Sequence, residues 1–294
     1  MISPLGTENK LTLNCGCKIN LRLKVTGKRA DKLHTLSSCF LFLEHPGDLL
    51  EFSHCAESGI FFSCPDFPEL DGEKNLVYRA AALYAEKAGI VPAWKIVLRK
   101  NVPLAAGLGG GSAGAGGILS LLNGIYNAFS PQELTDIAFS LGADVPFFLN
   151  RRAAWVTGAG EFFEEISEVP EIPEILIVNP GFPVSAKWAY THMAEELKTP
   201  DDERFKAEFL SGEVSSWHDF CRNDLALALY EKFPLLTIMK DHLLELGALA
   251  VQVSGSGSSL FALWEKDVLE KAELFRERFS TIENLRLFAK GIEL

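Results

Sequence analysis

Five glycines within residues 107–114 are the feature of this sequence with the clearest chemistry. They belong to the segment Pro103-Leu104-Ala105-Ala106-Gly107-Leu108-Gly109-Gly110-Gly111-Ser112, which joins an apolar strand pattern to a helical one. Glycine lets backbone N–H groups close around an anion because no Cβ stands in the way. The N-terminus of the following helix adds free N–H groups and a partial positive charge. The segment therefore predicts a phosphate-binding loop that needs few basic side chains.

Two well-known phosphate loops do not fit this segment. A Walker A loop requires a lysine directly after its last glycine, and none is present. Gly109-x-Gly111-x-x-Gly114 satisfies the dinucleotide fingerprint, and Glu133 or Asp136 lies about 20 residues further on. A dinucleotide-binding unit needs a strand at that point, whereas a second helix pattern follows. We therefore disfavour an oxidoreductase with a nicotinamide cofactor.

The elements that must position this loop are a mixture of strands and helices. Apolar and polar residues alternate over 11–14 and 19–25, which predicts half-buried strands. Further strands are predicted at residues 36–43, 49–52, 94–98, 175–179, 249–253 and 260–264. Helices are predicted at residues 76–88, 115–126, 130–141, 205–210, 224–232, 235–246 and 267–279. Because the two types do not alternate regularly, the pattern indicates an α+β fold rather than a doubly wound sheet.

The helix after the glycine-rich one has clear end signals. Ser130 suits the N-cap, Pro131 the first helical position, and Glu133 completes a capping box. Gly142 suits a left-handed residue at the C-terminal end. Asp144 follows this end and precedes the apolar run at 145–148, so we expect it to be partly buried.

Composition limits the function classes. The chain has 294 residues, 48% of them hydrophobic, with a net charge of −11. An acidic chain disfavours nucleic acid, since that affinity rests on Lys and Arg. No apolar stretch reaches the ~18 residues of a membrane helix. Residues 1–8 carry neither a basic nor an apolar signal region, so we expect a cytoplasmic protein.

The cysteines and histidines predict no metal site. The six cysteines are scattered, only Cys15 and Cys17 being close, and we expect reduced structural thiols. The six histidines form no H-E-x-x-H motif.

Three segments resemble the GHMP family of small-molecule kinases (galactose, homoserine, mevalonate and phosphomevalonate kinases). They are Lys18-Ile19-Asn20-Leu21, the loop at 103–112, and Ser254-Gly255-Ser256-Gly257, which occur in the family's order. The resemblance implies an ATP-dependent kinase that uses Mg²⁺ and a small-molecule alcohol. It also implies two α+β domains, at residues 1–157 and 158–294, with the active site in the cleft between them. The oligomeric state is not indicated.

Further strings resemble one branch of this family. They are Thr26-Gly27-Lys28-Arg29-Ala30-Asp31, His34-Thr35-Leu36, and the segments 75–81, 141–148, 158–161 and 180–181. That branch phosphorylates the 2-hydroxyl of 4-diphosphocytidyl-2-C-methyl-D-erythritol, in the non-mevalonate pathway of isoprenoid synthesis. The resemblance therefore implies this alcohol as the acceptor.

The resemblance also implies roles for individual residues. Asp144 would take the proton of the alcohol, and Lys18 would lie beside it. The residues implied for ATP are Asn75, Leu76, Lys100, Pro103, Gly107, Leu108, Gly109, Gly110, Gly111 and Ser112. Those implied for the acceptor are Asn20, His34, Tyr190, Gly255 and Gly257. No acidic ligand for Mg²⁺ is evident.

The chain departs from the family pattern at several positions. Leu33 stands where an aromatic residue usually stacks on the cytosine, and Ala186 replaces a threonine. Both leave open a different small alcohol as acceptor. Ala113 and Gly114 replace polar residues beside the phosphates, which leaves open a binding protein without catalysis.

Overall fold

A computed structural model describes residues 10–31, 33–166, 169–193 and 202–294. The signal region judged absent at residues 1–8 lies outside this part of the chain. The strands are β1 (Leu11–Asn14), β2 (Cys17–Lys28), β3 (His34–Leu43), β4 (Leu49–His54), β5 (Gly59–Ser63), β6 (Ala93–Arg99), β7 (Ala154–Gly158), β8 (Phe162–Glu165), β9 (Glu174–Asn179), β10 (Arg222–Asn223), β11 (Ala250–Val253), β12 (Leu260–Trp264), β13 (Arg286–Ala289) and β14 (Ile292–Glu293).

Helices of very different lengths separate these strands. They are α1 (Leu76–Ala88), α2 (Gly110–Tyr126), α3 (Pro131–Leu141), α4 (Phe147–Asn150), α5 (Ala186–His192), α6 (Glu203–Leu210), α7 (Trp217–Phe220), α8 (Ala226–Lys232), α9 (Pro234–Glu245) and α10 (Val268–Arg278). None of the helices among the described residues is long and apolar enough to cross a membrane.

The first compact unit consists of residues up to 17, 47–102 and 110–151. Its sheet has the order β1-β4-β6-β5, with β5 parallel to β6 and the other pairs antiparallel. Helix α2 packs closely in this unit because it is rich in glycine. A Cβ at Gly114 would lie 2.8 Å from Val77, one at Gly116 2.7 Å from Phe148, and one at Gly117 3.1 Å from the sulfur of Cys15.

The second unit consists of residues 18–46, 103–109 and 152–294. It contains two five-stranded sheets, β10-β2-β3-β7-β8 and β11-β12-β9-β13-β14. Leu23 and Val25 of β2 join a core formed with the second sheet and helices α8, α9 and α10. The opposite face of β2 is polar and nevertheless buried: Lys18, Asn20, Arg22 and Lys24 are all at most 6% exposed.

Both units are discontinuous in sequence, whereas the predicted division at residue 157 is not. That division stays a prediction. The α+β class is confirmed, since mainly antiparallel sheets and helices are mixed in each unit.

Most predicted elements are present, with ends shifted by a few residues. The capping box of Ser130 and Glu133 is confirmed. The prediction for Gly142 is wrong: its φ is 170°, which is extended backbone, although its N–H still bonds to carbonyls of the last helical turn. Strands β5, β7, β8, β10, β13 and β14 and helices α4, α5 and α7 were not predicted. These elements have two to seven residues, too few for a periodicity to stand out.

The described cysteines are free thiols, as predicted. Five of them, Cys15, Cys17, Cys39, Cys64 and Cys221, are buried, and Cys55 is partly exposed.

Candidate active site

Lys18 lies at the start of β2 with its side chain almost fully buried. Its ammonium donates to the amide oxygen of Asn20 at 2.5 Å and lies 4.6 Å from the centre of the Phe40 ring. The backbone N–H of Lys18 donates to the carbonyl of Leu108 at 2.9 Å. The first and second motifs of the sequence are therefore joined by a main-chain hydrogen bond.

Ser254 connects the third motif to the other two. Its hydroxyl accepts from the N–H of Asn20 at 3.3 Å and donates to the carbonyl of Gly107 at 3.0 Å. A Cβ at Gly255 would lie 3.1 Å from the Asn20 side-chain oxygen and 3.4 Å from the Lys18 ammonium. Lys18, Asn20, Gly107 and Gly255, which were predicted from separate motifs, are thus brought together.

Asn223 supports the loop of the third motif, residues 254–257, and was not predicted from the sequence. Its buried amide donates to the carbonyl of Val253 at 2.8 Å and to that of Gly255 at 2.7 Å. Its oxygen accepts from the N–H of Leu225 at 2.9 Å. An Arg-Asn-Asp string gives no signal for partners 30 residues away, so only the structure shows this role.

The glycine loop itself has an unusual backbone. Gly107 and Gly109 have φ values of 78° and 71°, and Ala105 has a φ of 49°. The carbonyls of Ala105 and Ala106 accept from the N–H groups of Val184 and Ser259 at 2.9 and 3.1 Å. These hydrogen bonds hold a conformation that alanine disfavours. Pro103 is half-buried and Leu108 buried.

His34 and Tyr190 form an aromatic pair. Their rings are stacked, with centres 5.2 Å apart and planes inclined by 20°. Burial, and to a lesser degree the charge of Lys28, lowers the pKa of the His34 imidazole below its usual value. The lowered pKa favours the neutral imidazole, which can both donate and accept a hydrogen bond. The neighbouring Leu33 is 52% exposed.

The N-terminus of α2, in the first unit, carries further residues that were predicted to bind the ATP phosphates. The helix begins at Gly110, so Gly110, Gly111 and Ser112 form its first turn, where N–H groups lack partners within the helix. Gly111 is exposed and Ser112 half-buried. A Cβ at Gly110 would lie 3.4 Å from the Lys100 ammonium. Lys100 is therefore held against the first residue of the helix.

Asn75 and Leu76 lie together at the start of α1. Asn75 is the N-cap, its side-chain oxygen accepting from the N–H of Val77 at 2.9 Å and its amide donating to the carbonyl of Leu70 at 2.9 Å. Leu76 is the first helical residue and is half-buried. Both are placed by this cap.

Asp144 lies in the short loop between α3 and α4 and is half-buried, as expected. The neighbouring N–H of Val145 donates to the carbonyl of Gly142 at 3.1 Å, which fixes the loop. Asp144 and Lys18 belong to different units, and their pairing stays a prediction.

Gly257 has a φ of 72°, and a Cβ there would lie 3.0 Å from Val253.

Comparison with known proteins gives the family. Residues 75–152 match the GHMP kinases N terminal domain and residues 194–279 the GHMP kinases C terminal domain. A 4-diphosphocytidyl-2-C-methyl-D-erythritol kinase of Syntrophotalea carbinolica is 34% identical over 275 residues, which is 92% of this chain and 95% of that protein. A second such kinase, from Syntrophus aciditrophicus, is 38% identical over 260 residues, which is 87% of this chain and 91% of that protein. The chain belongs to the GHMP kinase family.

Solved structures agree with this assignment. A crystal structure of a 4-(cytidine 5'-diphospho)-2C-methyl-D-erythritol kinase superposes with a TM-score of 0.78 and 31% identity, covering 95% of this chain and 98% of the other. A homoserine kinase of Cytophaga hutchinsonii has a TM-score of 0.74 at 18% identity, covering 100% of this chain and 98% of the other. It therefore shares the fold. This GHMP kinase is therefore an ATP-dependent small-molecule kinase, as the family resemblance implied.

Proposed function

We propose that this GHMP kinase transfers the γ-phosphoryl group of ATP to the 2-hydroxyl of 4-diphosphocytidyl-2-C-methyl-D-erythritol. The similarity to kinases named for this alcohol, over about nine-tenths of the chain, carries the proposal. The His34–Tyr190 pair supports it, because a cytosine needs an aromatic face and polar groups at its edge.

The reaction divides between the glycine loop, Lys18 and Asp144. The backbone N–H groups of Gly109, Gly110 and Gly111 and the Ser112 hydroxyl bind the ATP phosphates. The alcohol oxygen forms a bond to the γ-phosphorus while the bond from that phosphorus to the leaving oxygen of ADP breaks. The alcohol proton passes to the carboxylate of Asp144, and Lys18 stabilises the charge at the reacting centre.

Mg²⁺ would enter the site with ATP, as part of the substrate. The described residues include no group of three or more His, Cys, Asp or Glu side chains able to hold a metal ion. The hydroxyl of Ser112 is the donor closest in sequence to the phosphate-binding glycines, and it fits a Mg²⁺ ion that arrives bound to the nucleotide. Mg²⁺ then neutralises charge on the phosphates.

The test is ADP release with Mg-ATP and the cytidylylated alcohol, followed by mass analysis of the product. We expect acceptor-dependent turnover that Asp144→Asn lowers by at least ~10²-fold, since a general base contributes that much. Asp136→Asn, which changes an exposed acid of α3, serves as the matched control and should keep the wild-type rate.

Two results contradict the proposal. Turnover with homoserine, mevalonate or galactose but not with the cytidylylated alcohol would favour a different small alcohol as the acceptor. Leu33 and Ala186 left that alternative open. Full activity of Asp144→Asn would remove the assigned base.

A further inference from the structure

Asp48 is a fully buried carboxylate that none of the sequence motifs includes. It is 0% exposed and lies between β3 and β4 in the first unit. One of its oxygens accepts from the backbone N–H groups of Asn101 and Val102, both at 2.8 Å. The other accepts from the ammonium of Lys100, whose side chain is only 5% exposed. A buried ion is stable only when it is paired and hydrogen-bonded in this way.

These contacts all fall on the segment that leads into the glycine loop. Residues 100–102 follow β6 and precede Pro103, the first residue of the phosphate-binding motif. Val102 also supports the helix start, since a Cβ at Gly110 would come within 2.9 Å of its side chain. One carboxylate therefore fixes both the backbone and the cation that adjoin the first turn of α2.

We propose that Asp48 is a positioning residue for the nucleotide: it holds the Lys100 ammonium against the N-terminus of α2, where Lys100 contacts ATP. This inference rests on the proposed nucleotide site and deepens it. Lys100 has a long, flexible side chain, and fixing it in the free protein removes an entropy cost that ATP binding would otherwise carry. The carboxylate also keeps the cation from leaving for solvent before the nucleotide arrives.

Asp48→Asn separates this role from simple support of the loop. The amide oxygen of asparagine still accepts from the N–H groups of Asn101 and Val102. Its NH₂ group then faces the ammonium of Lys100, donor against donor, so Lys100 leaves its place. The variant keeps the shape of the site and loses the pairing.

The measurement is calorimetric binding of a non-hydrolysable ATP analogue with Mg²⁺, beside binding of 4-diphosphocytidyl-2-C-methyl-D-erythritol. We expect Asp48→Asn to raise the Kd of the analogue about 10-fold and that of the acceptor less than 2-fold. Lys100→Met should raise the analogue Kd equally, and the double variant no further, because both changes remove one interaction. Asp66→Asn is the matched control: Asp66 accepts from the backbone N–H of Lys100 at 3.1 Å rather than from its ammonium.

Several outcomes overturn the inference. An unchanged analogue Kd in Asp48→Asn, an equal loss for both ligands, or additive effects in the double variant would each do so. If Asp48→Asn does not fold, Lys100→Met decides the point, since it must raise the analogue Kd about 10-fold and the acceptor Kd less than 2-fold. Wild-type protein that binds the analogue but does not phosphorylate the acceptor would contradict the proposed function alone.

Discussion

At Gly107 the backbone has a φ of 78°, and a Cβ would lie 2.0 Å from the carbonyl oxygen of Ser254 and 2.9 Å from the nitrogen of Gly257. Both neighbours are backbone atoms, so neither can move without displacing the third motif. Gly107→Ala must therefore separate the two loops or abandon the left-handed conformation. Strain in that conformation alone costs about 1–2 kcal/mol.

We expect Gly107→Ala to abolish measurable ATP binding and to lower the melting temperature. Gly89→Ala is the control, because Gly89 is also left-handed, with a φ of 64°, yet a Cβ there meets nothing within 4 Å. It should lose only about 1 kcal/mol of stability and bind ATP normally. Calorimetry and thermal unfolding of both variants measure this, and equal ATP binding by the two would show that the close approach is unimportant.

Among the elements, α2 depends on glycine for its packing as well as for phosphate binding. A Cβ at Gly116 would lie 2.7 Å from the Cβ of Phe148 and 3.1 Å from the carbonyl oxygen of Val145. Gly124, in the same helix, is exposed and has open space around it. Alanine improves helix propensity at either site by about 1 kcal/mol. At Gly116 the overpacking cost of about 1–3 kcal/mol outweighs that gain.

Gly116→Ala should therefore lower the melting temperature, while Gly124→Ala should raise it by a few degrees. Phe148 lies in α4, three residues after Val145, so we expect the loop that carries Asp144 to shift with it. Reduced turnover in Gly116→Ala at unchanged ATP affinity would show this displacement. Stabilisation of both variants in thermal unfolding would disprove the packing argument.

Strand β2 shows how far an element can be predicted from its sequence. Alternation at residues 19–25 correctly predicts a strand, and the same pattern indicates that Lys18 and the polar face lie in solvent. The structure buries that face, because Asn20 bonds to Ser38 and Arg22 to Asp202 and to the carbonyl of Phe220. Periodicity describes one strand at a time, whereas burial of this face depends on residues as far as 234 positions away in the sequence. The roles of Asn223 and Asp48 were missed for the same reason.

At the scale of the whole molecule, the proposed mode of phosphate binding explains how a chain with a net charge of −11 can bind the negatively charged ATP. Backbone N–H groups and a helix N-terminus attract an anion without adding to the net charge. Lys100, the cation that we propose for the nucleotide site, is already paired with Asp48. A net negative charge on the whole chain can therefore coexist with local binding of a nucleotide.

The distribution of thiols over the molecule gives a test of its packing. Buried cysteines lie in both units: Cys15, Cys17 and Cys64 in the first, Cys39 and Cys221 in the second. Burial raises the pKa of Cys15 to about 12, with a smaller contribution from the charge of Asp48, and raises that of Cys39 well above its usual value. Thiolate is the reactive form, so these groups are protected by charge state as well as by access.

A disulfide reagent at about pH 8 should therefore label one thiol per chain within minutes, at Cys55, and all six after denaturation. Cys55→Ser should remove the fast reaction and leave five slow thiols. Because burial raises the folded pKa of Cys15 to about 12, the contribution of this thiol to stability is complete below its unfolded pKa of about 8.5 and is lost as the pH rises from there toward 12. Above about pH 8.5 the unfolded chain ionises first, and stability falls as pH rises. Peptide mapping of the labelled native protein identifies the thiols that react quickly. Rapid modification of Cys15 or Cys39 would contradict the buried positions assigned to them.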